Sequence, residues 1–110
     1  MTECRLYVTL AVTGILTTDE FLDWLDSLGN KLRALVDGRL DRIRESRHFG
    51  DFRPLGDGLY ELRWKNGTRV YFSYVTGDGG RMVLMLWGGA KNGQGRDIVK
   101  ARKLQGRASA

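Results

Sequence analysis

The stretch LYELRWKNGTRVYF, residues Leu59 to Phe72, decides how this chain folds. Apolar and charged residues alternate on both sides of Asn66 and Gly67, the pattern of a β-hairpin with one buried face. A two-residue loop would pair Lys65 with Thr68 and set Arg63 against Val70, mixing the two faces. A three-residue loop with Gly67 left-handed pairs Trp64 with Thr68, Leu62 with Val70 and Tyr60 with Phe72. Only this register gathers the apolar residues on one face, so it is the one expected. It also sets Arg63 directly opposite Arg69, and Glu61 opposite Tyr71. Two guanidinium groups facing each other repel unless negative charge lies between them. That face therefore reads in two ways. It is a solvated strand surface ion-paired through Glu61, or a phosphate clamp, because Arg makes bidentate contacts to phosphate.

Downstream, residues 68–76 and 81–87 continue as strands, with Gly77-Asp78-Gly79-Gly80 turning the first into the second. MVLMLW (82–87) is apolar on both faces and predicts a central strand. WGGAKNGQG (87–95) reads as a glycine-rich loop. It matches no nucleotide-binding fingerprint, and its glycines let the backbone turn and approach a partner. A short helix is expected from Asp97 to Gln105, with a frayed tail from about residue 106. Upstream, residues 48–58 read as a loop containing Gly50, Pro54, Gly56 and Gly58. Two helices precede it. Thr17 with Glu20 fits a capping box, and Phe21, Trp24, Leu25 and Leu28 follow at helical spacing until Gly29. Asn30 opens a second helix, whose stripe is Leu32, Leu35, Val36, Leu40 and Ile43. Its other faces carry Lys31, Arg33, Arg39, Arg42, Arg44 and Arg47. Residues 5–12, RLYVTLAV, predict an initial strand. The order is β-α-α-β-β-β-(α). It predicts an α+β fold in one domain over residues 1–110, an antiparallel meander sheet packed on a helix pair.

The charge of +5 is unevenly placed. Residues 1–30 carry five acidic and one basic side chain, residues 31–69 six and ten, and residues 70–110 two and seven. A basic middle and end suits an anionic partner, either nucleic acid or an acidic protein segment. One cysteine, Cys4, excludes an internal disulfide and favours an intracellular setting. With one histidine besides, no zinc site of the usual kind is expected. No apolar run approaches the ~20 residues that span a bilayer, and no signal-peptide pattern is read at the start. His48 is read as structural or exposed, and Trp24, Trp64 and Trp87 as core.

In combination, FLDWLDSL, the basic helix, FGDFRPLGDGLYELR, TRVYF and LWGGAKNGQGRDIVKA resemble the RelE/ParE superfamily of toxin–antitoxin toxins. The likeness runs from about Phe21 to Lys103 and points to the HigB-like, phage-derived addiction module killer branch. It implies a RelE-like fold and a cytoplasmic growth inhibitor held by a cognate antitoxin. The implied activity is metal- and cofactor-independent cleavage of mRNA on the ribosome. In that chemistry the RNA 2′-hydroxyl attacks the adjacent phosphate, which needs a base, cations for the developing charge and an acid for the leaving oxygen. By motif position the implied catalytic residues are Glu61, Arg63, Arg69, Lys91 and Asp97. Arg63 and Arg69 would hold the phosphate. Lys91 would assist them or protonate the leaving oxygen. Glu61 is the candidate base, with Asp97 or Tyr71 second. Candidate RNA contacts are Arg39 and Arg42 on the basic helix, Lys65, Tyr71 and Gln94. The superfamily leaves two other readings open. One is a ParE-like protein that inhibits gyrase by binding, and the other is a degenerate toxin that keeps only antitoxin binding.

Overall fold

The computed structural model describes residues 14–77 and 80–109. The chain runs β1 (Ile15–Thr17), α1 (Asp19–Asp26), α2 (Asn30–Ser46), β2 (Phe52–Gly56), β3 (Leu59–Arg63), β4 (Thr68–Gly77) and β5 (Gly80–Ala90). A single 3₁₀ turn (Lys91–Gly93) then leads into α3 (Gln94–Ser109). The strand expected at 5–12 and the inert Cys4 lie outside the described residues. The described strands form one five-stranded sheet in the order β1-β5-β4-β3-β2. Strands β2 to β5 are an antiparallel meander, while β1 joins β5 in parallel, so the sheet is mixed. MVLMLW is central, lying between β1 and β4.

The hairpin has the three-residue register. Tyr60 pairs with Phe72, Glu61 with Tyr71, Leu62 with Val70 and Arg63 with Arg69. Trp64 N–H donates to Thr68 O at 3.0 Å, and Gly67 closes the turn at φ +97°, a conformation open to glycine. Its apolar face packs against both helices. Phe21 and Leu25 of α1, Val36, Leu40 and Ile43 of α2, and Leu62, Trp64, Val70, Phe72, Val83 and Met85 of the sheet form one buried cluster.

The opposite face is not left to water. Leu59, Tyr71, Leu84 and Leu86 pack there against Ala101 and Leu104 of α3 in a second cluster. The fold is therefore three layers, the helix pair, the sheet and α3. α3 is also longer than the sequence predicts. It begins at Gln94, inside the expected glycine loop, and runs on to Ser109 through the expected frayed tail. Part of the expected loop is strand, since β5 continues to Ala90.

Two local expectations are corrected. The cap of α1 is Thr18, one residue later than expected, because Thr17 is taken up in pairing with Met85. Thr18 Oγ accepts from Phe21 N–H at 2.9 Å and donates to Leu86 O at 2.8 Å. The expected loop 48–58 contains β2, paired with β3 at the sheet edge, where Pro54 costs no ladder hydrogen bond. The β4–β5 register shifts between Tyr71 and Phe72, which pair with Trp87 and Met85. The extra residue turns Leu86 and Trp87 both toward α3, where simple alternation would separate them.

Candidate functional site: a basic cleft at the hairpin tip

The hairpin tip stands beside the 3₁₀ turn that follows β5. Thr68 pairs with Ala90, and a side chain on Gly67 would lie 3.5 Å from Lys91 Cβ. Between the two runs an open cleft of about 650 Å³ lined by Lys65, Asn66, Gly67, Ala90, Lys91 and Asn92. Lys65, Asn66, Lys91 and Asn92 are all exposed. Neither lysine has a carboxylate partner among the described residues. On the helix side of the same tip a second cleft of about 370 Å³ is lined by Leu35, Arg39, Trp64, Lys65 and Asn66.

Behind the cleft lies a buried charge cluster. Glu61 is fully buried, although it sits on the face expected to be wet. Burying a lone carboxylate is costly, so it must be met by donors. Arg53 of β2 donates to Glu61 Oε1 at 2.9 Å, and Gln94 at the start of α3 donates to Oε2 at 2.5 Å. Arg69 Nε is 3.9 Å from Oε2. The two facing arginines, Arg63 and Arg69, differ in burial. Arg69 is only 7 % exposed and folds back onto the turn, where Nη1 donates to Trp64 O and Thr68 O. Arg63 stays half-buried, with no side-chain partner among the described residues. Tyr71 is buried, and its hydroxyl makes no hydrogen bond among the described residues. Burial, then the nearby Glu61 and Asp97 carboxylates, pushes its phenol well above the ordinary range, so it stays neutral.

The sequence-predicted residues therefore divide. Lys65 and Lys91 line the cleft. Glu61, Arg69, Tyr71 and Gln94 form the buried cluster behind it, with Arg63 beside them. Glu61, the expected base, has both oxygens occupied and no exposed surface. Asp97 accepts from Trp87 Nε1 at 3.0 Å and packs on Gly89, which fastens α3 to β5. Arg39 is likewise a fastener. It donates to Phe49 O, Asp51 O and Arg63 O, and its guanidinium lies 4.3 Å over the Trp64 ring. Burial, with Arg42 nearby, lowers its pKa. Arg42 and His48 are exposed. Asn66, Asn92 and Arg53 were missed from the sequence. The position of Asn92 directly after Lys91 was the available signal for one of them. The described residues contain no cluster of three or more His, Cys, Asp or Glu that could hold a metal, and no helix long and apolar enough to cross a membrane.

No family profile matches the chain. An uncharacterised protein of Haemophilus influenzae is 36% identical over 91 residues, covering 82% of this chain and 90% of that protein. Among solved structures, a mutant of the E. coli toxin RelE in the free state is similar at TM-score 0.65. It is 17% identical, covering 84% of this chain and 96% of that one. A chain of the intact E. coli RelBE toxin–antitoxin complex is similar at 0.59, with 17% identity over 72% of this chain and 96% of that one. The corresponding chain of the Mycobacterium tuberculosis RelBE2 complex is similar at 0.53, with 21% identity over 73% and 99%. This chain has the RelE fold, and it belongs to the family of the Haemophilus influenzae protein.

Proposed function

We propose that this protein is the toxin of a type II toxin–antitoxin pair and cleaves mRNA on the ribosome without a metal. The observation that carries the reading is the cleft between the hairpin tip and the 3₁₀ turn. Lys65 and Lys91 meet there with no carboxylate among the described residues to neutralise them. Two unneutralised ammonium groups, with half-buried Arg63 two residues before Lys65 on the chain, suit a phosphodiester. In the proposed step the 2′-oxygen bonds to phosphorus, the bond to the 5′-oxygen breaks, and a 2′,3′-cyclic phosphate remains. The 2′-hydroxyl proton leaves to solvent. Lys65 and Arg63 stabilise the charge gathering on the phosphate, and Lys91 protonates the leaving 5′-oxygen. Arg69 acts from behind by holding the turn that carries Lys65. Solved relatives of the fold are in complex with antitoxins. Here, an acidic antitoxin segment covering the same basic cleft would silence the toxin. Its place of action is the cytoplasm, on translating ribosomes.

The test is induction in cells followed by primer extension on translated messages. Codon-positioned cuts are expected, and Lys91→Ala should reduce them about 10²-fold while leaving the folded protein intact. Arrested replication with uncut messages would instead identify a gyrase-directed binder. A chain that neither cuts nor arrests growth would identify a degenerate toxin.

A further inference from the structure

Glu61 stands where the two walls of the cleft are tied together. Its own strand, β3, leads into the hairpin tip that forms one of them. Through Gln94 it holds the first residue of α3, directly after the Lys91–Gly93 turn that forms one wall. Through Arg69, 3.9 Å away, it faces the guanidinium whose Nη1 donates to Trp64 O and Thr68 O, the two carbonyls that flank the tip forming the other wall. Arg53 supplies a third donor from the edge strand. Each contact comes from a different element, and the carboxylate is sealed from water. Such a carboxylate cannot meet substrate, yet its partners reach both walls.

We propose that Glu61 is a positioning residue that sets the separation of Lys65 from Lys91 and so prepares the cleft for a phosphodiester. This deepens the RNA-cleaving reading and rests on it for the identity of the ligand. The linkage itself rests only on the geometry. With the carboxylate in place, Gln94 is held by a charge-assisted hydrogen bond, and the buried Arg69 Nε, which has no hydrogen-bond partner among the described residues, faces a counter-charge 3.9 Å away. With the charge removed, Arg69 loses its counter-charge and Gln94 its ionised acceptor, and both walls relax.

The experiment compares wild-type protein, Glu61→Gln, and the double variant Glu61→Gln with Gln94→Glu. The single variant keeps the shape of the side chain. The double variant restores one carboxylate and one amide in exchanged places, with the negative charge at a helix N-terminus where it is favoured. Backbone amide NMR signals read both walls independently of any activity. Glu61→Gln should shift signals of residues 64–68 and of residues 91–94 together, and the exchange should bring both sets back. Shifts confined to one wall, or an exchange that restores neither, would overturn the proposal. A Glu61→Ala variant that moves neither set would do the same. Binding of a fluorescein-labelled single-stranded RNA hexamer is measured alongside. Glu61→Gln should weaken it about tenfold, with recovery in the exchanged pair. Failure of the wild-type protein to bind the hexamer would sink the RNA reading, while the amide signals still decide the role of Glu61.

Discussion

Gly88 and Gly89 are neighbours on β5, but they open opposite faces of the sheet. A Cβ on Gly88 would come within 2.3 Å of Trp24 ring carbons on α1. A Cβ on Gly89 would come within 2.0 Å of Asp97 Oδ2 on α3. The pair thus admits one side chain from each outer layer at the same height of the sheet. In the sequence these glycines read as loop, because nothing local shows that a tryptophan 64 residues earlier needs the space. Gly88→Ala should destabilise the fold by about 1–3 kcal/mol, since a packed ring must move to admit the methyl group. Denaturant unfolding measures this, and an unchanged midpoint would show Trp24 free to swing aside. Glu61 teaches the same lesson. Its place in the pairing was legible from alternation, but its burial was not, because the layer that covers it arrives more than thirty residues later.

At the scale of elements, the α1 boundary shows how pairing overrides a local signal. Thr17 and Glu20 have capping-box spacing, yet Thr17 belongs to β1 and the cap falls on Thr18. The Thr18 hydroxyl then does two things, holding Phe21 N–H at the start of α1 and reaching Leu86 O on β5. Thr18→Ala removes both contacts. It should cost about 2 kcal/mol, combining a lost cap of ~1 kcal/mol with a buried hydrogen bond of ~1 kcal/mol. Thr18→Ser should retain most of it. Thermal unfolding of the two variants separates the hydroxyl from the methyl group, and equal losses would refute the cap. β2 was hidden for a related reason. FRPLG lacks alternation and carries a proline, and it becomes a strand because β3 offers a free edge.

For the whole molecule, the ends of the described chain are joined across the layers. Arg107, in the last turn of α3, donates to both carboxylate oxygens of Glu20 on α1, at 2.7 and 2.8 Å. This contact with Arg107 holds the Glu20 carboxyl at about 2, below its ordinary 4.5. A carboxylate depressed in the folded state adds stability above its ordinary value, and that stability is lost as pH falls toward 2. Arg107→Ala should therefore lower the melting temperature near neutral pH and flatten its fall between about pH 4.5 and 2. The effect should be small and sensitive to salt, because the pair is exposed. An unchanged acid profile would show that the pair does not persist in solution. The same scale governs charge. The acidic start and basic remainder pointed to an anionic partner, but only folding selects which cations face one opening. Arg39 and Arg69 are spent on carbonyls, while Lys65 and Lys91 face the cleft.

From sequence alone, the hairpin register, the central strand, the helix pair and the RelE-like class were all decidable. The first three follow from the spacing of apolar residues along a short stretch, a local property, and the class from the resemblance of its motifs. Tertiary structure alone decided the third layer, the edge strand and the division of the charged residues. Alternation in LYELRWKNGTRVYF separates one face from the other, but it cannot say whether the polar face meets water or a helix. α3 settles that by covering Leu59 and Tyr71, sealing Glu61 among Arg53, Gln94 and Arg69, and leaving the lysines at the rim.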